Sequence, residues 1–347
     1  MGIQPPARDI RALTGIRAVA AVWVMIYHFQ TYLDGQSYSF GAADPVIGKG
    51  YLGVDLFFVL SGFIMLHVYA ARFKDSLQVR EIAGFLQFRI ARLYPVHLFT
   101  LALMLLLAVV GYLAGRLPQH PEIYSPLSLL ASLLLVNAWI GSYTPNMPAW
   151  SISSEWFAYI CFPLLAFAIQ CHRGMPAVFG LFAVTGLAFV PEGPQRILVD
   201  FPLGMAVYYL YRSSWRTPPV FGIMLVAALG VTLGFTDDLV PIYIMLMAIL
   251  IVAVARQPDW FGSALSHPVM VYLGEISYSL YMVHWLVRIV MREIFTRIAP
   301  SAHPLLMIAC YSAATFGAAA VVYYLVEMPG RRLLRNGPLK SPTLLSA

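Results

Sequence analysis

Three ionisable side chains interrupt apolar segments of this sequence, where a membrane would make them costly. Arg17 and His28 lie in the first apolar segment, and His284 lies in a later one. An ionisable side chain near the bilayer centre costs about 3 kcal/mol, so such residues are functional candidates. Imidazole can take a proton from a hydroxyl near neutral pH, whereas a guanidinium stays charged and suits phosphate. The residue types therefore predict a membrane enzyme that handles an anionic substrate.

Two more arginines stand just before another long apolar segment. Arg89 and Arg92 have the i and i+3 spacing that places two side chains on one face of a helix. Together with Arg17 they predict a cationic site for the anionic part of a substrate. Two alternatives stay open at this point. Arg89 and Arg92 could be ordinary cytoplasmic anchors, and Arg17 could extend its side chain to the interface.

The other candidate residues also have structural interpretations. His28 or His284 could make a hydrogen bond between two helices. Glu155 follows a serine-rich stretch that includes Ser151 and Ser154, near the start of an apolar segment. A serine and a first-turn carboxylate stabilise the free amides of a helix N-terminus, so this pattern also predicts a helix cap. Glu155 is therefore either part of a site or part of a cap.

The composition defines the class of protein that must position these residues. The chain has 347 residues, of which 60% are hydrophobic and only 11% are charged. A soluble protein of this length could not bury that much apolar surface, so we expect an all-α, polytopic integral membrane helix bundle. The net charge of +6 lies in short loops rather than basic runs, which argues against nucleic-acid binding. The three cysteines lack metal-ligand spacing, and no metal is expected.

The apolar segments predict about ten transmembrane helices. A spanning helix needs about 20 apolar residues. The ten segments lie near residues 12–33, 52–70, 93–114, 154–171, 175–191, 196–211, 219–236, 239–255, 270–291 and 304–326. An eleventh stretch, 127–140, is too short to cross comfortably, so it predicts a short re-entrant or interfacial segment.

The distribution of Lys and Arg predicts the orientation. If residues 127–140 do not span, the loops rich in Lys and Arg fall on one side, which the positive-inside rule makes the cytoplasm. The prediction is a multi-pass protein of the inner (plasma) membrane with both termini in the cytoplasm. Residues 1–330 form its membrane domain and residues 331–347 a cytoplasmic tail. His67 and His97 are interpreted as structural residues near the cytoplasmic interface.

Six short motifs occur in an order that resembles a known family. They are Arg17 with His28, GVDLFFVLSGF at 53–63, RIAR at 89–92 followed by Tyr94 and Pro95, WSISSEWFAY at 150–159, GEISYSLYMVH at 274–284, and EMP at 327–329. Each motif alone is weakly specific. Their order and the predicted topology together resemble membrane acyltransferase family 3 over nearly the whole chain.

The resemblance implies transfer of an acyl group, commonly acetyl from acetyl-CoA, to a hydroxyl of a carbohydrate or glycosylated acceptor. Under it, His28 is the catalytic base, and Arg17, Arg89 and Arg92 bind the phosphates of acyl-CoA. Glu155 orients His28 or binds sugar hydroxyls in an outer site shared with it. His284 orients the acceptor or stabilises charge. The implied surroundings are membrane lipids and, as an open question, partner proteins of polysaccharide biosynthesis.

The residues leave several alternatives open. Arg17 and His28 are roughly 16 Å apart along an ideal helix, so they cannot serve the same atom. Direct transfer and a relay through acyl-His28 are both compatible with the residues. A secondary transporter or flippase for a carbohydrate or lipid-linked glycan could use the same ionisable residues, although the segments show no inverted repeat. A scaffold subunit of the cell envelope is the third alternative.

Overall fold

The computed structural model describes residues 10–33, 39–116, 118, 120–187, 189, 193–214, 221–233, 239–256 and 260–335. These residues form helices joined by turns, and no strand occurs among them, so the predicted all-α class is confirmed. In chain order the α-helices are α1 (Arg11–Leu33), α2 (Asp44–Gly48), α3 (Gly53–Tyr69), α4 (Val79–Leu113), α5 (Pro126–Leu133), α6 (Ala149–Gln170), α7 (Met175–Leu187), α8 (Ile197–Arg212), α9 (Phe221–Leu233), α10 (Val240–Arg256), α11 (Trp260–Leu265), α12 (Pro268–Glu275), α13 (Ser277–Ile298), α14 (Pro304–Val322) and α15 (Met328–Arg335).

Five helical segments within the described ranges are long and apolar enough to cross a membrane. They are Arg11–Gln30, Gly41–Phe73, Val79–Leu113, Ala149–Gln170 and Pro304–Arg335. The protein is therefore a membrane protein, whereas the predicted count of about ten spans stays a prediction. The predicted segment 270–291 is divided between α12 and α13. Helix α7 has 13 residues and spans only about 20 Å.

Helix α3 packs closely against α8 because a glycine lies at the contact on each helix. A Cβ atom added at Gly62 would lie 2.0 Å from the carbonyl oxygen of Phe201. A Cβ atom added at Gly204 would lie 1.9 Å from that of Val59. Small residues allow such backbone approach between membrane helices, where dispersion contacts replace the hydrophobic effect as the driving force. The backbones of α3 and α8 are therefore in direct contact.

The helices that carry the predicted site residues meet in the centre of the bundle. Helix α1 packs against α3, α12 and α13, and α4 packs against α6, α13 and α15. Helix α6 also contacts α3 and α8. Residues from five distant parts of the sequence therefore face one another.

The apolar stretch 127–140 does not form one continuous helix. Helix α5 has eight residues and is about 12 Å long, which is too short to cross a bilayer. The chain then turns at Leu135, which is fully buried and has a φ of 56°, a value that is costly for a residue with a Cβ atom. This geometry agrees with the prediction of a non-spanning segment.

The chain after α14 continues into a π-helical turn, Tyr323–Glu327, and then into α15. Helix α15 lies against the start of α4, where Gln87 Nε2 donates to the carbonyl oxygen of Leu334 at 2.8 Å. The guanidinium of Arg335 lies 5.0 Å from the centre of the Phe88 ring. Residues 336–347 of the predicted tail lie outside the described residues.

Candidate active site

A cavity of about 170 Å³ lies in the centre of the bundle. Helices α1, α3, α4, α6 and α13 all contribute to its wall. Its polar lining consists of Arg17, Ser61, Arg89, Arg92, Ser151, Glu155, Tyr159, Ser277, Tyr278 and Tyr281. Four of the six predicted site residues are therefore brought together here, although they come from three separate segments of the sequence.

Arg17 reaches across the bundle to α13. Its Nη2 donates to Ser277 Oγ at 3.0 Å, and Ser277 Oγ donates to the carbonyl oxygen of Gly274 at 2.7 Å. Because Ser277 is fully buried, this contact holds the guanidinium inside the protein, where it lines the cavity. The structure therefore shows Arg17 as a residue of the cavity rather than one extended to the interface.

Arg89 is enclosed by aromatic rings. Its Nη2 donates to the Tyr69 hydroxyl at 3.0 Å, and its guanidinium carbon lies 5.4, 5.8 and 5.6 Å from the ring centres of Tyr69, Phe85 and Tyr159. Cation–π contacts of this kind stabilise a buried cation without neutralising its charge. Among the described residues no carboxylate forms a salt bridge with Arg89. Its charge thus remains available to an anion in the cavity.

Arg92 has a different environment because a carboxylate already compensates its charge. Its Nη1 forms a salt bridge with Glu327, which is fully buried. Ser279 Oγ donates to the other oxygen of Glu327 at 2.6 Å, and Arg331 lies 3.5 Å from that residue. Arg92 also lies over the Tyr278 ring at 5.1 Å. This network makes Arg92 largely a structural partner of Glu327.

Glu155 does not cap a helix, so the capping interpretation is wrong. Helix α6 begins at Ala149 after Pro148, which makes no side-chain capping bond, so Glu155 lies beyond the first turn. Its Oε1 instead accepts hydrogen bonds from Ser61 Oγ at 2.9 Å and from the Tyr159 hydroxyl at 2.5 Å. Glu155 is therefore a carboxylate inside the membrane domain, and Ser61 serves it as a hydrogen-bond donor.

Glu155 lies more than one turn inside α6, because the helix begins at Ala149. It contacts Ser61 and Tyr159 on the wall of the cavity that holds the arginines. The contacts of His28 include Val24, His284 and neighbouring aromatic rings. The outer site shared by Glu155 and His28 stays a prediction.

His28 and His284 form a hydrogen-bonded pair. His284 Nε2 lies 3.1 Å from His28 Nδ1, and the ring centres are 5.0 Å apart. His284 Nδ1 donates to the carbonyl oxygen of Tyr281 at 2.5 Å, so Nε2 of neutral His284 is an acceptor. His28 Nδ1 also lies 3.0 Å from the carbonyl oxygen of Val24. Both contacts require a proton on His28 Nδ1, which leaves the basic lone pair on His28 Nε2.

This arrangement resolves the open interpretation of His284. The residue is fully buried and makes the interhelical hydrogen bond that the structural alternative predicted, but its partner is the candidate base. A base whose second nitrogen is held by another group has a fixed tautomer and ring orientation. His284 is thus placed to position His28.

Tyr281 connects the histidine pair to the cavity. Its ring centre lies 5.6 Å from that of His284, and its hydroxyl lies 2.7 Å from Ser151 Oγ on α6. Tyr281 also lines the cavity. Ser277, the contact of Arg17, lies about 10 Å from His284 along α13. Tyr281 therefore stands between the cavity that the arginines line and the histidine pair, neither member of which belongs to the cavity lining.

Sequence reasoning missed two groups of residues. Glu327 was noticed only as part of a motif, although a lone carboxylate in the last apolar segment is itself a signal of function or pairing. Trp285 and Tyr27 flank His28, with ring centres 5.5 and 5.1 Å from the imidazole. No pattern distinguishes these two aromatic residues from the others in the chain, since aromatic residues make up 14% of it.

Comparisons with known proteins give matches over most of the chain. The family described as "Acyltransferase domain" (Acyl_transf_3) matches residues 10–324. The chain is similar to Acyltransferase MdmB of Streptomyces mycarofaciens, with 30% identity over 81% of this chain and 80% of that protein. It is 25% identical to a Staphylococcus aureus (strain COL) protein named as an O-acetyltransferase, over 81% of this chain.

The coverage differs between these relatives. The chain spans about half of the Staphylococcus aureus protein, since the match covers 51% of its length. A shorter match, to Protein 2 in picA locus of Rhizobium radiobacter, has 32% identity over 45% of this chain. No solved structure matches the chain.

Proposed function

This chain belongs to the acyltransferase 3 family, and we propose that it transfers an acetyl group from cytoplasmic acetyl-CoA to a hydroxyl of a carbohydrate acceptor. The observation that carries the proposal is a cavity lined by three arginines and by Tyr281, with the hydrogen-bonded pair of His284 and His28 next to Tyr281. The guanidinium groups suit phosphate, and His28 suits the role of a positioned base. The proposal includes the ten-span topology in the inner membrane with both termini in the cytoplasm.

The charge of the cavity supports an anionic donor. Arg17, Arg89 and Arg92 contribute three positive charges to its lining and Glu155 one carboxylate, and Glu327 pairs with Arg92. Because Arg92 is paired with Glu327, the groups best placed to bind phosphate oxygens are Arg89 and Arg17. A guanidinium presents a planar array of N–H donors that matches phosphate, and a low-dielectric site strengthens each contact. We therefore assign donor binding chiefly to Arg89 and Arg17.

The histidine pair supplies the base that acyl transfer requires. His28 Nε2 takes the proton of the acceptor hydroxyl while the hydroxyl oxygen attacks the thioester carbonyl carbon. The new C–O bond forms as the C–S bond breaks, and the imidazolium returns the proton to the departing thiolate. His284 Nε2 accepts the hydrogen bond from His28 Nδ1 throughout and stabilises the imidazolium.

The relay alternative uses the same geometry. In it, His28 Nε2 attacks the thioester first, and the acceptor hydroxyl then attacks acetyl-His28. The two routes differ in one observable: an acetylated protein accumulates without acceptor only in the relay. Both routes place His28 at the reacting carbon, so the assignment of the base is common to them.

The experiment that tests the function uses purified protein in detergent and acetyl-CoA labelled in the acetyl group. We expect release of CoA thiol together with transfer of label to glycans from the source membranes. A transporter or flippase would bind or move a glycan without consuming acetyl-CoA, and a scaffold subunit would do neither. Absence of thiol release and of label transfer by folded protein would refute the proposal.

A further inference from the structure

Five buried side chains, two within the segment 127–140 and three outside it, carry polar atoms that make no hydrogen bond to any described residue. The atoms are His97 Nδ1, Ser132 Oγ, Asn137 Oδ1 and Nδ2, Thr144 Oγ1 and Asn146 Oδ1. The side chains are between 0% and 7% exposed. We call these five residues the buried polar cluster.

The concentration of these atoms is unusual for a folded protein. Fourteen buried side-chain atoms among the described residues lack a hydrogen bond, and six of them belong to this cluster. Each such atom costs about 1–3 kcal/mol, so native proteins keep few of them without a reason. The strained backbone of Leu135 lies in the same segment. Strain and unpaired polar atoms at one place point to a function that offsets their cost.

The buried polar cluster adjoins the histidine pair. Asn146 Nδ2 donates to the carbonyl oxygen of Met282 at 3.0 Å, two residues before His284, and lies 3.2 Å from Thr100 Oγ1. His97 Nε2 donates to the carbonyl oxygen of Ser132 at 2.8 Å, so Nδ1 of this residue is an acceptor. His97 therefore has the structural role that the sequence predicted, because it joins α4 to this segment.

The chemistry of the cluster selects one class of ligand. It contains acceptors on His97, Asn137 and Asn146, a carboxamide donor on Asn137, and two hydroxyls that can do either. It contains no charged side chain, so it suits neither an anion nor a metal cation. Several neighbouring hydroxyl groups, each able to donate and accept, would satisfy it.

Resting on the function proposed above, we infer that the buried polar cluster binds hydroxyl groups of an uncharged, polyhydroxylated acceptor and holds one hydroxyl toward His28. Residues 134–148 are turns and irregular backbone rather than helix, so their side chains are not confined to one helical face. Acceptor binding would give the non-spanning stretch 127–140 a role inside the bundle. It forms the acceptor side of the site, opposite the arginines.

The test combines thermal stability with transfer, using a matched pair of substitutions. Thr144→Val removes an unpaired buried hydroxyl, whereas Thr315→Val removes a fully buried one that donates to the carbonyl oxygen of Tyr311 at 2.8 Å. We expect Thr144→Val and Asn137→Leu to keep or raise Tm, and Thr315→Val to lower it by about 2 °C. We also expect both cluster variants to transfer labelled acetyl to membrane glycans at least tenfold more slowly, with unchanged Kd for acetyl-CoA.

Each outcome decides between explanations. Transfer at the wild-type rate by Asn137→Leu and Thr144→Val would overturn the inference while leaving the proposed function intact. A loss of Tm equal to that of Thr315→Val would show that buried water satisfies these atoms, which also overturns the inference. Weaker acetyl-CoA binding would assign the effect to the donor side and contradict the inference. Failure of the wild-type protein itself to transfer label would refute the proposed function instead.

Discussion

Removing Arg92 should destabilise the protein more than it weakens donor binding, because the structure gives this residue a buried carboxylate partner. The side chains of Arg92 and Glu327 are 17% and 0% exposed, so solvent screens the pair only weakly. Removing one partner of a buried pair costs about 3–5 kcal/mol, because the remaining charge is left uncompensated. Arg331, which lies 3.5 Å from Glu327, offsets part of this cost. We therefore expect Arg92→Leu to cost about 3 kcal/mol.

The magnitude can be measured as a shift in thermal unfolding. At roughly 2 °C per kcal/mol for a chain of this size, Arg92→Leu should lower Tm by about 6 °C. The double variant Arg92→Leu with Glu327→Leu should recover most of the loss, since apolar residues of similar volume often replace a buried ion pair at little cost. Arg116→Leu is the matched control: its salt bridge with Glu293 at 2.6 Å is 48% exposed on both sides, so it should change Tm by less than about 2 °C.

Three measurements would refute this reasoning. Arg92→Leu could prove as stable as the wild-type protein, in which case the salt bridge contributes nothing. The double variant could prove less stable than the single one, which would mean that Glu327 stabilises the bundle without Arg92. Acetyl-CoA binding could be lost in Arg92→Leu at full stability, which would return Arg92 to the donor site.

Three further predictions follow from the geometry. Arg89→Ala should weaken acetyl-CoA binding at least about tenfold by calorimetry, and Arg89→Lys should not restore it fully, because an ammonium cannot reproduce the guanidinium contacts; unchanged Kd in both would exclude Arg89 from the donor site. His284→Ala should lower kcat at least about tenfold with unchanged Kd for acetyl-CoA, and full activity would remove its positioning role. In a background without native cysteines, an impermeant thiol reagent added outside should label cysteine at Ser142 and not at Ser76, and the reverse result would mean that residues 127–140 span the membrane.

The sequence predicted the elements that depend on local composition. The apolar segments and the short stretch 127–140 follow from hydropathy and length, which act over a few turns of helix. The separation of Arg17 from His28 follows from helical rise. These features do not depend on which helices pack together, so the sequence alone predicts them.

The features that the sequence could not provide depend on tertiary contacts. Glu155 is not a helix cap because α6 begins at Ala149, before the serines that resemble a cap. The partner of Arg92 lies 235 positions away at Glu327. The role of His97 depends on its contact with Ser132 in the segment that folds back. Pairings over such sequence distances leave no local signal.

The central claim is that His28 is the base of acetyl transfer to which a donor held by the arginines is delivered. The most direct test is a single-turnover measurement of acetyl transfer by purified His28→Ala, alongside its Tm and its Kd for acetyl-CoA. We predict that transfer falls at least about a hundredfold while Tm and Kd stay at wild-type values. Transfer at the wild-type rate by His28→Ala would contradict the account.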